Sequence, residues 1–144
     1  MKNANSLPKI YLPMSADLFH IGHLRAIRQC AKKGEVIVGL LSDRVLKNYK
    51  GDCIIPFSQR KEILEAIPEV SKIIKQNELN PIKYLKGIDY IASGDGWEEG
   101  ELKAIKKTKV KLLDIEYCQL QSTTEIKAKI YRLFIQKLAH AFKK

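Results

Sequence analysis

Cysteine is scarce in this chain of 144 residues, and the three present, Cys30, Cys53 and Cys118, are odd in number and far apart. Such spacing offers neither a zinc signature nor a disulfide framework, and it points to a reducing, cytoplasmic setting. Long apolar runs are missing as well. No stretch approaches the roughly 18 residues of a membrane span, and Met1 to Pro8 lacks an apolar leader core. A soluble protein without a membrane partner is expected. No repeat, low-complexity tract or Pro- and Gly-rich linker divides the sequence, so residues 1–144 read as a single domain. A domain of this length buries roughly two thirds of its unfolded surface and needs no metal or disulfide to fold.

Acids are few beside bases: 16 Asp and Glu against 26 Lys and Arg leave a formal charge of +10. That excess suits nucleic acid, an anionic membrane or small phosphorylated substrates. The bases are dispersed, with pairs at Lys32-Lys33, Lys106-Lys107 and Lys143-Lys144 but no arginine-rich arm or block of like charge. A solvated surface and phosphate-bearing substrates are therefore preferred over a nucleic-acid partner.

What is present is an alternation of strand-length apolar runs with segments of helical period. Lys9 to Met14 predicts a strand, and Ile21, Leu24, Ile27 and Ala31 form a helical stripe that Gly34 ends. Val36 to Leu41 is apolar almost throughout, as in a strand covered on both faces. Ser42 to Ile55 reads as a mobile loop. Pro56 and Ser58 open a helix with Ile63, Leu64 and Ile67 on its apolar side; strands follow at Val70–Ile74, Ile88–Ala92 and Val110–Ile115, with helices at Ile82–Leu85 and Glu98–Lys106. Ser122 or Thr123 caps a long last helix, with Glu125 placed for a capping box. The pattern predicts an α/β, Rossmann-like, doubly wound domain with a mainly parallel five-stranded sheet and helices on both faces. In such sheets ligands bind beyond the carboxyl ends of the strands, where Ser15 to His23, Ser42 to Lys50 and Gly94 to Trp97 all fall.

Two of the three histidines stand in His20-Ile21-Gly22-His23, directly after the first strand. Asp17 is placed to cap the helix, and Gly22 leaves the backbone bare for a charged ligand. A helix N-terminus with two imidazoles suits phosphate. No Cys, Asp or Glu cluster completes a zinc site at recognised spacing.

Ser15-Ala16-Asp17-Leu18-Phe19-His20-Ile21-Gly22-His23-Leu24 resembles the signature of the nucleotidyltransferase superfamily, whose HxGH motif binds a nucleotide triphosphate. Gly94-Asp95-Gly96-Trp97 is similar to the GDDW-type turn of glycerol-phosphate and choline-phosphate cytidylyltransferases, and Ser122-Thr123-Thr124-Glu125-Ile126-Lys127 resembles their ISTT segment. The resemblance implies an enzyme that moves CMP from CTP to a small acceptor by in-line displacement at the α-phosphorus, with Mg²⁺ or Mn²⁺ held mainly by the CTP phosphates. By position it implies His20, His23 and Lys50 in catalysis, and Ser15, Ala16, Asp17, Gly22, Lys47, Arg60, Gly94, Asp95, Trp97, Ser122, Thr123 and Thr124 in CTP binding. Either Lys47 or Lys50 fits the triphosphate clamp. A homodimer is implied too.

Departures from the glycerol-phosphate pattern are Met14 and Ala16 in the first motif, and Tyr117 and Pro68 where that pattern carries arginines. Tyr117 is thereby an acceptor-binding candidate. These features, with Tyr49-Lys50 and Gln59-Arg60-Lys61, look closer to the branch of phosphonate tailoring and capsule decoration. The acceptor then carries a phosphate, phosphonate or phosphoramidate group. Alternatives are a glycerol-3-phosphate or phosphocholine enzyme, an adenylyltransferase of the same superfamily, or a non-catalytic nucleotide- or RNA-binding module.

Overall fold

The computed structural model describes residues 6–94 and 96–142. Among these, five strands form one all-parallel sheet: β1 (Lys9–Met14), β2 (Glu35–Leu41), β3 (Val70–Gln76), β4 (Tyr90–Ala92) and β5 (Lys111–Leu113), in the order β3-β2-β1-β4-β5. The helices are α1 (Ile21–Ala31), α2 (Asp43–Lys50), α3 (Phe57–Glu65), α4 (Glu99–Lys106) and α5 (Thr123–Ala141), with one 3-10 turn at Ile82–Tyr84. The expected doubly wound architecture is observed.

Strand alternation divides the core. Ile10, Leu12 and Met14 of β1 face one side, where they pack with Val36, Val38 and Leu40 of β2, Ala26, Ile27 and Cys30 of α1, and Leu64 of α3. Tyr11, between them, faces the other side with Ile37, Leu85, Ile91 and Ile105. There the Tyr11 hydroxyl donates to Gln76 Oε1 at 2.8 Å. Gly39 makes room for this pair: a Cβ at that position would lie 2.2 Å from the hydroxyl.

Three local expectations change. The Ser42 to Ile55 segment is not a loop throughout, since α2 occupies Asp43–Lys50. Its signals are a Ser42 side chain accepting from Val45 N, the buried pair Val45 and Leu46, and a left-handed Gly51 with φ 82° after the last turn. Gly34 does not end α1 by adopting a left-handed conformation, because the left-handed glycines are Gly51, Gly87 and Gly96. It is needed because Pro8 O sits where a Cβ would be, 2.0 Å away. On α3 the buried positions are Leu64 and, instead of Ile63, Arg60.

The order of strands reverses between β1 and β4, so their connections leave in opposite directions and open a crevice at the carboxyl edge. Met14, Ser15, Ser93 and Gly94 form its floor.

Candidate active site

The chain leaves β1 through a turn in which Ala16 (φ 51°) and Leu18 (φ 53°) are both left-handed. Non-glycine residues hold such conformations only where the surroundings over-determine them. Here the Asp17 carboxylate accepts from Ile54 N (3.1 Å) and Ile55 N (2.8 Å), while its carbonyl accepts from Thr123 Oγ1 (2.9 Å). Asp17 is therefore not the cap of α1, as the sequence suggested. It ties the turn to the segment before α3 and to the start of α5.

The cap is His20. Its Nδ1 accepts from Gly22 N at 3.0 Å, and His20 N donates to Nδ1 of His23 at 3.2 Å. The rings are 4.0 Å apart, and His23 also stacks on Phe19. Both Nδ1 atoms are acceptors, so each neutral imidazole carries its proton on Nε2. Gly22 serves this arrangement as much as ligand access: a Cβ there would lie 2.8 Å from the His20 ring and 3.2 Å from Gln121 O.

Burial, then the nearby His20, then Lys50 hold the His23 pKa down to about 3. The unfolded chain binds this proton more readily than the folded one between about pH 3 and the ordinary histidine value. His23 therefore stabilises the fold fully above that value, and the contribution is lost as pH falls toward 3. Nitrogen NMR is expected to find His23 as the neutral Nε2–H tautomer with no titration from pH 8 to 5. A midpoint near the ordinary value of about 6.5 would contradict the burial described.

His20, Gly22 and His23 at the start of α1 share a cavity of about 360 Å³ with Ser122, Thr123 and Thr124 at the start of α5. Ser122 and Glu125 form the expected capping box, Glu125 N donating to Ser122 Oγ (3.2 Å) and Ser122 N to Glu125 Oε2 (2.7 Å). The backbone donors that the first turn of α5 can offer an anion are thus those of Thr123 and Thr124. Ser15, Gly94, Tyr117 and Lys50 line the same cavity. Lys47, one turn earlier on α2, does not. Of the two lysines, Lys50 is the one at the cavity wall.

Arg60 is also placed differently from the expectation. Fully buried, it donates from Nε to Ile55 O (2.8 Å), from Nη1 to Ser15 O, and from Nη2 to Leu41 O (2.9 Å) and Asp43 Oδ1 (2.8 Å). It is a clasp beneath the site and does not line the cavity. Ala16, with 1 % exposure, and Asp17, with 3 %, shape the turn in the same indirect way. Trp97 borders a smaller adjoining cavity of about 110 Å³ that shares Ser15, Tyr49 and Lys50 with the first. Asp95 lies outside the described residues. Pro68 is exposed in the turn before β3, away from the carboxyl edge, so of the two arginine replacements only Tyr117 stands at the site.

Sequence reasoning gave no role to Gln29. Its Oε1 accepts from Glu116 N (2.8 Å) and its Nε2 donates to Glu116 O (3.1 Å), which fixes the segment carrying Tyr117 and Cys118 against α1. A polar residue off the apolar stripe of α1 was the only hint. Among the described residues no group of three or more His, Cys, Asp or Glu side chains converges as a metal site.

The profile of cytidylyltransferase-like proteins matches residues 12–131, a span that includes the turn, both histidines and the first half of α5. The chain belongs to the cytidylyltransferase-like family. It is a nucleotidyltransferase. Among relatives, an FAD synthase of Ferroglobus placidus is 28 % identical over 143 residues, covering 92 % of this chain and 93 % of that protein. The choline-phosphate cytidylyltransferase of Saccharomyces cerevisiae is 28 % identical over 148 residues, covering 93 % of this chain but 34 % of the yeast protein. A second choline-phosphate cytidylyltransferase, from Arabidopsis thaliana, is 32 % identical over 94 residues, covering 58 % of this chain and 30 % of its own length. In fold, the cytidylyltransferase-like chain is similar to the lipopolysaccharide core biosynthesis protein of Thermoplasma volcanium, with a TM-score of 0.69 at 22 % identity over 79 % of this chain and all of that one. Among the described residues no helix is long and apolar enough to cross a membrane.

Proposed function

We propose that this protein transfers CMP from CTP to the phosphate, phosphonate or phosphoramidate group of a small acceptor, releasing pyrophosphate, in surface-polysaccharide or phosphonate biosynthesis. The observation that carries the reading is the convergence of two helix N-termini, two imidazoles and Lys50 on one cavity at the switch point of the sheet. An acceptor oxygen attacks the α-phosphorus as the bond to the departing pyrophosphate breaks. Such transfers ask the protein mainly for positioning and charge stabilisation. The Nε2–H groups of His20 and His23 donate to phosphate oxygens, the Thr123 and Thr124 backbone holds the triphosphate, and Lys50 offsets its charge. Mg²⁺ or Mn²⁺ would be held mainly by the CTP phosphates and would offset part of their charge, with no residue of this chain assigned to it.

Cytosine is preferred because the Gly94 to Trp97 turn and the Ser122 to Lys127 segment resemble the cytidylyl branch, and choline-phosphate cytidylyltransferases are among the relatives. The FAD synthase, alike over nearly its whole length, favours a second reading, adenylyl transfer, since FAD is an adenine dinucleotide. Pyrophosphate release with CTP and ATP against a panel of acceptors separates the two. A kcat/KM for CTP about tenfold or more above that for ATP is expected, and equal or greater efficiency with ATP would favour the adenylyl reading. Phosphonate and phosphoramidate acceptors should outrun glycerol 3-phosphate and phosphocholine, because Tyr117 brings a neutral donor and an aromatic face to the cavity in place of a cation.

A further inference from the structure

The second cavity, of about 110 Å³, adjoins the first and shares Ser15, Tyr49, Lys50 and Ser93 with it. Among the described residues its wall carries one charge of each sign, Lys50 and Glu101. Lys50 closes α2, which follows β2, and Glu101 lies in the first turn of α4, which follows β4. Those two strands flank β1.

The other polar groups at the wall already have partners. Gln76 is fully buried, its Oε1 accepting from the Tyr11 hydroxyl and its Nε2 donating to Glu78 O (2.9 Å) and Leu79 O (3.0 Å). Ser93 Oγ donates to Gly96 O at 2.6 Å. The Tyr49 ring is taken up by Lys50, whose Nζ stands 5.9 Å from its centroid. Glu101 differs. Its Oε2 accepts from Glu98 N at 3.0 Å, which fixes the side chain in the capping box of α4, yet a carboxylate can accept about four hydrogen bonds. Trp97, half-buried at the same wall, brings the aromatic ring that attracts a cation best.

We propose that this cavity receives the far end of the acceptor, and that this end is a primary ammonium donating to Glu101 beside the Trp97 ring. The place of the phosphorus end rests on the nucleotidyl-transfer reading: it lies at the shared wall, by Lys50. There one of its oxygens bonds to the α-phosphorus, and pyrophosphate departs with the electron pair of the broken P–O bond. The ammonium keeps its proton throughout. Size limits the tail. A cavity of about 150 Å³ holds benzene, so one of about 110 Å³ holds a tail of about four non-hydrogen atoms. A short aminoalkyl chain fits. The tail of phosphocholine is longer, and its nitrogen has no N–H to give. A glycerol or alkyl tail brings no charge to match the carboxylate.

Aminoethylphosphonate and propylphosphonate differ only in an ammonium for a methyl group. With CTP and Mg²⁺, kcat/KM for the amine should exceed that for the alkyl acceptor by about 10- to 100-fold, the span of one charge-assisted contact. Phosphoethanolamine should exceed phosphocholine in the same way. Glu101→Gln should erase both preferences. Glutamine also serves at that capping position, so the melting temperature of the variant should stay close to that of the wild type. Trp97 is the single tryptophan of the chain, and its fluorescence reads the cavity without turnover. In the presence of α,β-methylene-CTP, aminoethylphosphonate should shift its emission, propylphosphonate at equal concentration should not, and the shift should vanish in Glu101→Gln. Equal turnover and equal emission with and without the amine would overturn the ammonium site, while the pyrophosphate released would still uphold nucleotidyl transfer. A shift that needs both the amine and Glu101, with no pyrophosphate from CTP or ATP, would uphold the site and sink the transfer reading instead.

Discussion

His20→Ala and His23→Ala should each lower kcat with CTP by about 10²–10³-fold, the usual cost of losing one preorganised donor to developing charge. Both rings are set by the same pair of backbone hydrogen bonds, which place their protons on Nε2 at the wall of the cavity. Removing either side chain also removes part of the cap of α1, worth about 1 kcal/mol of stability. His20→Asn separates the two effects, because asparagine caps a helix as well as any residue but carries no imidazole. Its melting temperature should stay close to that of the wild type while its turnover falls with that of His20→Ala. The loss should appear in kcat more than in KM, as expected for a contact that strengthens in the transition state. Near-normal turnover in both alanine variants with a proven acceptor would remove the histidines from catalysis.

Arg60→Met should destabilise the fold by about 3–5 kcal/mol, the range found when one partner of a buried charged network is removed. The guanidinium reaches the carboxyl ends of two strands at once, through Ser15 O after β1 and Leu41 O of β2, and adds Ile55 O and the first residue of α2. Methionine fills much of the volume but leaves the buried carbonyls of Ser15 and Leu41 without their guanidinium donor, while Ile55 O, only partly buried, keeps the Cys53 thiol. Arg60→Lys should recover little, since one ammonium cannot reproduce a planar fork that spans four acceptors. Urea unfolding measures the loss directly. Whatever fraction folds should also bind nucleotide weakly, because the clasp positions both Ser15 and the helix that presents Lys50. A loss below about 1 kcal/mol would mean that water or a neighbouring group takes over the carbonyls.

How far each residue could be read depended on how far away its partners lie. The Ser122 and Glu125 box was legible because its members are three positions apart on a helix start. The His20 and His23 pair was legible for the same reason, although the capping role went to His20 and not Asp17. Asp17 bonds to backbone 37 and 38 positions away. No local rule connects those segments. The α2 helix was missed because a polar run with two lysines has the composition of a loop, and only the buried Val45 and Leu46 turn it into an amphipathic element. Arg60 was misplaced because charge normally signals exposure, and here four acceptors from separate segments compensate its burial.

The sequence by itself determined the order of strands and helices, the parallel character of the sheet, the strand-to-helix junction that bears the histidines, and the family. Periodicity, caps and motifs are settled between residues a few positions apart, where backbone hydrogen bonding and side-chain spacing leave few alternatives. Only the tertiary structure decided that Lys50 and not Lys47 reaches the cavity, that Asp17 and Arg60 support it from beneath, and that Gln29 holds the Tyr117 segment in place. It alone set Glu101 and Trp97 at the wall of the second cavity. Those outcomes depend on which distant carbonyls need a donor and which surfaces find a partner, and such demands exist only once elements far apart in the chain have packed together.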